Sequence, residues 1–159
     1  MAALTGLREL DPDAPEDVAD ARSLFEEYAA SLDVDLAFQG FAEELAALPD
    51  GYLPPAGALL LADLDGNTVG CAAVRALDGD ACELKRLYVR PAARGHALGR
   101  ALTEAALARA RALGYRRVRL DTLPSMTAAY ALYLELGFRE IEPYRFNPVP
   151  GTRYLERDL

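Results

Sequence analysis

A basic, glycine-containing turn at the start of a helix is the segment of this sequence whose residue types point most directly to chemistry. It reads Arg94-Gly95-His96-Ala97-Leu98-Gly99-Arg100 and follows a strand-like segment that ends at Val89. The first backbone N–H groups of a helix have no partner within the helix, and the helix dipole adds positive charge there. The turn is therefore predicted to bind an anion.

The positive charge of the chain is concentrated around this turn. Residues 85 to 119 contain ten of the seventeen Lys and Arg residues and a single acid, Glu104, whereas the whole chain has a net charge of −8. The window thus carries +9 and the remaining residues carry −17. This distribution favours a small polyphosphate ligand. The overall acidity argues against nonspecific binding to nucleic acid or to a membrane surface.

The histidine and cysteine content favours no other kind of catalytic site. His96 is the only histidine, no motif places a nucleophile beside it, and no cluster has metal-ligand spacing, so no metal is expected. If Asp78-Gly79 forms a hairpin turn, Cys71 faces Arg86. Cys82 then lies roughly 13 Å further along the ladder, too far for a disulfide. Two buried, free thiols are expected.

Length and composition are those of an ordinary soluble domain. With 159 residues, 52% of them apolar and 26% charged, the sequence predicts a single domain spanning residues 1–159. No apolar run approaches the roughly 20 residues that span a bilayer, and the N-terminus lacks the features of a signal peptide. A cytoplasmic location is the resulting expectation.

Hydrophobic periodicity and turn residues predict an α/β fold. The predicted helices cover residues 15–32, 38–48, 98–113 and 128–136, and the predicted strands 4–10, 58–63, 68–75, 81–89, 115–122, 138–141 and 152–159. Asp65-Gly66 is a hairpin signal, and an extended loop covers residues 143–151. The pattern predicts a mixed central sheet flanked by helices on both faces. In it, an antiparallel meander precedes a parallel β-α-β unit.

Three segments, taken in order and spacing, resemble the GCN5-related N-acetyltransferase (GNAT) family. The turn 94–99 is similar to the family's acetyl-CoA signature Arg/Gln-x-x-Gly-x-Gly/Ala, and the strand 83–89 precedes it as in the family. Residues 132–138, Leu-Tyr-Leu-Glu-Leu-Gly-Phe, are similar to the family's Leu-Tyr-x-x-x-Gly-Phe. The resemblance covers most of the chain and is clearest over residues 58–138.

Two positions depart from the family pattern. Ala97 replaces the middle glycine of the signature, which is tolerable if Ala97 already has the negative φ of a right-handed helix. Met126 stands where the family often has an asparagine, so no cofactor contact is assigned to it.

The resemblance implies acetyl-CoA as cosubstrate. The backbone from Gly95 to Arg100, with the Arg94 and Arg100 side chains, would bind the pyrophosphate. Main-chain groups of Leu87 and Val89 would pair with the pantetheine arm and polarise the thioester carbonyl. The cofactor-binding residues so implied are Leu87, Val89, Arg94, Gly95, His96, Ala97, Leu98, Gly99 and Arg100, with His96 contributing backbone only.

Two catalytic residues follow from the same resemblance. Glu83, eleven residues before Arg94, matches the general base of several family members, and Tyr133, four residues before Gly137, matches the general acid. Strand alternation places Glu83 on the face of Leu87 unless a bulge intervenes. A water or another carboxylate is the alternative base. Glu83 paired with an Arg and Tyr133 as a core residue are the noncatalytic alternatives.

The implied acceptor is a primary amine of a small molecule or peptide. The family usually builds the acceptor pocket from the N-terminal helices and the loop before the last strand, which here gives Tyr28, Phe38, Phe41, Tyr144 and Asn147. The sequence leaves open the acceptor, the acyl chain and the oligomeric state, a homodimer included.

Two other functions remain compatible with parts of the sequence. A noncatalytic acyl-CoA-binding or regulatory module on the same fold is one, although the retention of Glu83 and Tyr133 argues against it. A dinucleotide-binding domain is the other. It needs an acidic residue about 20 residues after the glycine turn, where this chain has Arg119, and here the turn follows three antiparallel strands.

Overall fold

A seven-stranded mixed sheet forms the centre of the computed structural model, which describes residues 5–159. The strand order is β1-β2-β3-β4-β5-β7-β6, and β4–β5 is the parallel pair among otherwise antiparallel neighbours. The strands are β1 Thr5–Glu9, β2 Ala58–Leu64, β3 Asn67–Asp78, β4 Ala81–Val89, β5 Arg117–Thr122, β6 Arg139–Ile141 and β7 Arg153–Asp158. The predicted mixed sheet is confirmed.

Helices cover both faces of the sheet, as predicted. They are α1 Pro15–Ala30, α2 Phe41–Ala47, α3 Leu98–Ala112 and α4 Thr127–Glu135. On one face Leu102 of α3 and Tyr133 of α4 share a buried cluster with Val118. On the other, Leu24 of α1 packs in a second cluster with Leu61. Successive side chains of a strand point into opposite clusters. A strand that is buried on both faces therefore has a long apolar run in the sequence.

No helix among residues 5–159 is long and apolar enough to cross a membrane.

The structure differs from the sequence-based prediction at several element ends. The predicted helix 38–48 is a 3₁₀ turn, Leu36–Gln39, followed by α2, because Gly40 has a left-handed φ of 69° that breaks the helix. The predicted start of β1 at Leu4 lies outside the described residues. Asp78 pairs with Ala81, so Gly79-Asp80 forms the second hairpin loop, and Cys71 faces Tyr88 rather than Arg86. Both cysteines are nevertheless buried and free.

Strand β4 has two irregularities that shape the site. Its register with β3 shifts between Cys71 and Ala73, and Arg86 has a φ of 60°, which marks a bulge. The bulge reverses the alternation, so Leu87 packs with Leu84 against the α3 cluster while Glu83 lies on the opposite face. Glu83 and Leu87 therefore do not share a face, because the bulge named as the exception to strand alternation is present.

The second irregularity is the short pairing between β4 and β5. The two strands pair only from Ala81↔Arg117 to Glu83↔Arg119, so residues 84–89 of β4 have no β5 partner among the described pairs. A gap therefore opens in the sheet beyond Glu83. The backbone N–H and C=O groups on this edge of β4 face the gap.

Candidate active site

A cleft fills the gap between β4 and β5 and reaches both faces of the sheet. Tyr28 of α1 and Phe38 of the 3₁₀ turn line it on one side, and Ala129 and Tyr133 of α4 line it on the other. The strand edges contribute residues 84–87 and 121–123. A group entering from the α1 side can therefore meet a group entering from the α4 side inside the sheet.

A second groove of about 280 Å³ continues this cleft toward the start of α3. Leu87 and Ala129 line both cavities. Seven of the nine predicted cofactor residues line the groove, namely Leu87, Val89, Arg94, Gly95, Ala97, Leu98 and Gly99.

The two remaining predicted cofactor residues lie outside the groove lining. Arg100 binds Glu104 and Glu135 through its guanidinium, and both partners are largely exposed. His96 is exposed as well. The contact between the Arg100 guanidinium and a pyrophosphate stays a prediction.

The turn before α3 has the geometry of an anion cradle. The first hydrogen bond of the helix runs from Ala101 N to Ala97 O at 3.1 Å, so the N–H groups of the preceding residues are available to a ligand. A Cβ placed on Gly95 or Gly99 would meet no atom within 4 Å, so there is open space beside both residues. This arrangement fits a pyrophosphate.

Ala97 is not in the right-handed helical region. Its φ of 56° and ψ of 26° are left-handed, so the condition under which an alanine would fit here without strain is not met. An alanine here adopts the conformation that the family's glycine would adopt more readily, and it carries the steric cost of its Cβ.

Tyr133 occupies the place where cleft and core meet. Its side chain is only 6% exposed, and its ring lies 5.5 Å from the ring of Phe138. Among the described residues its hydroxyl has no hydrogen-bond partner, so it is not tied to a backbone carbonyl. Burial raises the pKa of Tyr133 above its ordinary value. The phenol therefore stays protonated and can donate.

Glu83 is fully buried, and both of its carboxylate oxygens are occupied. One oxygen accepts from Arg75 at 3.0 Å and from Arg145 at 2.9 Å, and the other accepts from the Tyr144 hydroxyl at 2.7 Å. Glu83 is not among the residues that line the cleft. The structure thus has the arginine pairing that was the noncatalytic alternative, and the base role of Glu83 stays a prediction.

Three of the five predicted acceptor residues line the cleft, namely Tyr28, Phe38 and Asn147. The other two lie behind its wall. The ring of Phe41 lies 5.1 Å from the Arg86 guanidinium, and Tyr144 binds Glu83. Both therefore support residues of the site without lining the cleft themselves.

Lys85 and Asp121 are charged residues that line the cleft but were not among the predicted site residues. Lys85 donates to Gln39 at 3.1 Å, and its Nζ lies 3.9 Å from a carboxylate oxygen of Asp121. Asp121 also accepts from Asn147 at 3.2 Å. In the sequence, Lys85 follows the buried Leu84 and Asp121 follows the buried Leu120. A charged residue next to a buried leucine within a strand was the signal that could have identified them. The gap that joins them arises from strand divergence, which the sequence does not display.

Proteins with similar sequences are acetyltransferases, which agrees with a site that can hold an acyl donor and an acceptor. The model of the Acetyltransferase (GNAT) family matches residues 19–138. An uncharacterized N-acetyltransferase of Schizosaccharomyces pombe is 40% identical over 147 residues, which are 91% of this chain and 90% of the relative. The N-acetylaspartate synthetase of Homo sapiens is 36% identical over 110 residues, which cover 68% of this chain but 36% of that protein.

Solved structures share the fold over nearly the whole chain. An acetyltransferase from Streptococcus agalactiae superposes with a TM-score of 0.79 at 25% identity and covers 98% of both chains. A protein of Salmonella typhimurium solved with its cofactor acetyl-CoA superposes with a TM-score of 0.70 at 21% identity, over 97% of this chain and 93% of its own. Sequence and fold agree that the chain belongs to the acetyltransferase (GNAT) family and is an acyltransferase.

Proposed function

We propose that the protein moves an acetyl group from acetyl-CoA directly to a primary amine of a small molecule or peptide. The observation that carries this proposal is the continuity of the two cavities at Leu87, beside Tyr133, whose hydroxyl has no hydrogen-bond partner within residues 5–159. A donor in the groove and an acceptor in the cleft would meet at that point without an enzyme-bound intermediate.

The groove residues fit the donor. The N–H groups of Leu98, Gly99 and Arg100 precede the first helical hydrogen bond and would hold the pyrophosphate. The unpaired edge of β4 beyond Glu83 offers backbone partners for an extended arm. Acetyl-CoA supplies an activated acetyl carbon and a thiolate leaving group. The structural neighbour that contains acetyl-CoA supports this choice of donor.

Proton transfer assigns the remaining roles. An amine with a pKa near 10.4 is protonated at neutral pH, so a carboxylate must first remove one proton. The new N–C bond then forms while the C–S bond breaks, and Tyr133 donates its proton to the departing thiolate. The nitrogen loses its second proton as the amide forms, and this proton restores the phenol through solvent. The proton that the base removed is released to solvent, so one proton is released for each acetyl group transferred.

Two carboxylates are candidates for the base. Glu83 is the residue implied by the family resemblance, and a water would have to connect it to the amine because both its oxygens are occupied. Asp121 lines the cleft itself and accepts only one hydrogen bond from the described residues.

The pH profile of kcat separates these two bases. Loss of the acidic limb in Asp121→Asn, with the limb retained in Glu83→Gln, would assign the base to Asp121. The reverse pattern would assign it to Glu83.

An amine panel with detection of free thiol tests the proposed function. The panel contains amino acids, polyamines, peptides with free N-termini and lysine-like amines. Amino acids belong in it because a relative is named an N-acetylaspartate synthetase. We expect thiol release with at least one amine and an acetylated product by mass spectrometry. Tight binding of acetyl-CoA without thiol release for the whole panel would instead identify a noncatalytic binding module.

A further inference from the structure

A network of buried and partly buried charges surrounds the acceptor side of the cleft. Ion pairs connect its members to one another, and the side-chain oxygen of Gln39, which accepts from both Lys85 and Arg86, connects the rest. Its members are four cations, Arg75, Lys85, Arg86 and Arg145, and three carboxylates, Glu44, Glu83 and Asp121. The network therefore has one positive charge more than it has negative charges.

The excess charge is not shared equally among the cations. Arg86 makes two hydrogen bonds to Glu44, at 2.9 and 3.2 Å, so these two charges neutralise each other. Arg75 and Arg145 share Glu83, and the Nε of Arg145 is buried without a hydrogen-bond partner among the described residues. This side of the site can accept one further negative charge, whereas a further cation would be repelled.

Lys85 is the cation best placed to receive that charge. Its Nζ can donate three hydrogen bonds, yet it makes one, to Gln39, among the described residues. The 3.9 Å separation from Asp121 is too long for a hydrogen bond. Lys85 lines the cleft, so its unused donors are accessible to a ligand there.

Lys85 is also the single lysine of the chain, whose other sixteen basic residues are all arginines. An ammonium differs from a guanidinium because it is compact, rotates its donors freely and loses its charge readily on burial. The cleft thus contains a compact cation whose charge depends on what surrounds it.

We propose that the acceptor carries a carboxylate as well as its amine, and that Lys85 binds this carboxylate in the cleft and turns the amine toward Tyr133. This inference rests on the proposed acetyl transfer and narrows its acceptor to amino-acid-like amines. A polyamine would place a second cation against a network that already has excess positive charge.

The proposal has a pH dependence of defined sign. Charged and titratable groups face Lys85 from every neighbouring element: Glu83 and Arg86 of β4, Asp121 of β5, Arg75 of β3, Tyr28 of α1 and Tyr133 of α4. Burial dominates and lowers the pKa of Lys85 to about 8. The ammonium is therefore present below pH 8 and is lost as the pH rises through 8. A bound carboxylate raises this pKa again, and carboxylate affinity falls above pH 8.

Nuclear magnetic resonance tests the proposal without an activity assay. Protein isotope-labelled at lysine Cε gives one signal, from Lys85, whose pKa is read from a pH titration with coenzyme A present. The probes are malate and phenyllactate, with malamide and phenyllactamide as uncharged matches. We expect either carboxylate to raise the pKa of Lys85 by about one unit or more, which corresponds to about tenfold tighter binding to the charged form. The amides should leave it unchanged. Equal responses to acids and amides, or none, would overturn the proposal.

Kinetics of variants provide the second test. Lys85→Met should lower kcat/KM for an amino acid about tenfold or more through KM, and leave kcat/KM for the matching amide nearly unchanged. Lys85→Arg should keep much of the preference for the acid, and Arg111→Met, which removes an exposed cation, should change neither value. Equal losses for acid and amide would assign Lys85 to catalysis or folding and overturn the proposal. Absence of acetyl transfer to any amine in the wild type would instead refute the proposed function.

Discussion

Tyr133 combines a buried ring with a hydroxyl that has no hydrogen-bond partner among the described residues. Its raised pKa keeps it protonated, which suits a group that must donate to a thiolate. We predict that Tyr133→Phe lowers kcat about a hundredfold to ten-thousandfold. Calorimetry should give an acetyl-CoA affinity close to that of the wild type, because the phosphate cradle is formed by other residues.

The control for this variant lies on the same helix. Tyr130 is one turn before Tyr133, and its hydroxyl donates to Glu140 at the surface. Tyr130→Phe should therefore leave kcat nearly unchanged. A Tyr133→Phe enzyme that turns over as fast as Tyr130→Phe would remove the acid role from Tyr133.

Ala97 gives a residue-scale prediction about stability. An alanine with a φ of 56° carries a steric cost that glycine lacks, and this cost exceeds the greater chain entropy of glycine in the unfolded state. Ala97→Gly should raise the free energy of unfolding by about 0.5 to 1 kcal/mol in urea titrations.

A matched alanine in a regular helix should respond in the opposite direction. Ala108 is exposed within α3, so Ala108→Gly should lower the free energy of unfolding by about 0.5 to 1 kcal/mol. If both variants lose stability, the left-handed conformation of Ala97 does not carry the cost assigned to it.

At the scale of elements, Glu83 connects strand β4 to the loop 143–151. Tyr144 and Arg145 bind Glu83, and Asn147 binds Asp121 of β5, so the loop is attached to both strands that border the cleft. We predict that Glu83→Gln costs about 1 to 3 kcal/mol of stability, since Arg145 loses its carboxylate and Arg75 keeps only the 3.7 Å contact with Glu44. Urea titrations measure this loss, and limited proteolysis should show earlier cleavage within residues 143–151.

A surface carboxylate provides the comparison for that variant. Glu140 is exposed and accepts from Tyr130, so Glu140→Gln should change the free energy of unfolding by less than about 0.5 kcal/mol. If Glu83→Gln is as stable as Glu140→Gln and the loop resists protease equally well, Glu83 does not hold the loop.

At the scale of the whole molecule, the order of strands and helices was predictable because it depends on local signals. Asp65-Gly66 forms the turn between β2 and β3 with the positive φ angles that these residues favour, and Gly114 and Gly137 have positive φ just beyond the ends of α3 and α4. The predicted cofactor groove follows from the same local pattern, since one turn and one strand edge form most of it.

The acceptor side could not be predicted in this way. The bulge at Arg86 reverses which side chains of β4 face α1. No residue type near Arg86 indicates that β4 has one residue more than its partner strand at this point. The divergence of β4 from β5 depends on pairing between segments more than thirty residues apart in the sequence. Lys85 and Asp121 meet only because of that divergence, so their proximity is a property of the assembled sheet.

Direct transfer across this gap is the central claim about the molecule, and the intact mass of the protein tests it most directly. The enzyme is mixed with acetyl-CoA alone, and protein mass and free thiol are followed before and after an active amine is added. We predict an unchanged protein mass and no thiol release until the amine is added, and then equal amounts of thiol and acetylated amine. An acetylated protein that forms without the amine and loses its acetyl group to it at the rate of turnover would contradict direct transfer.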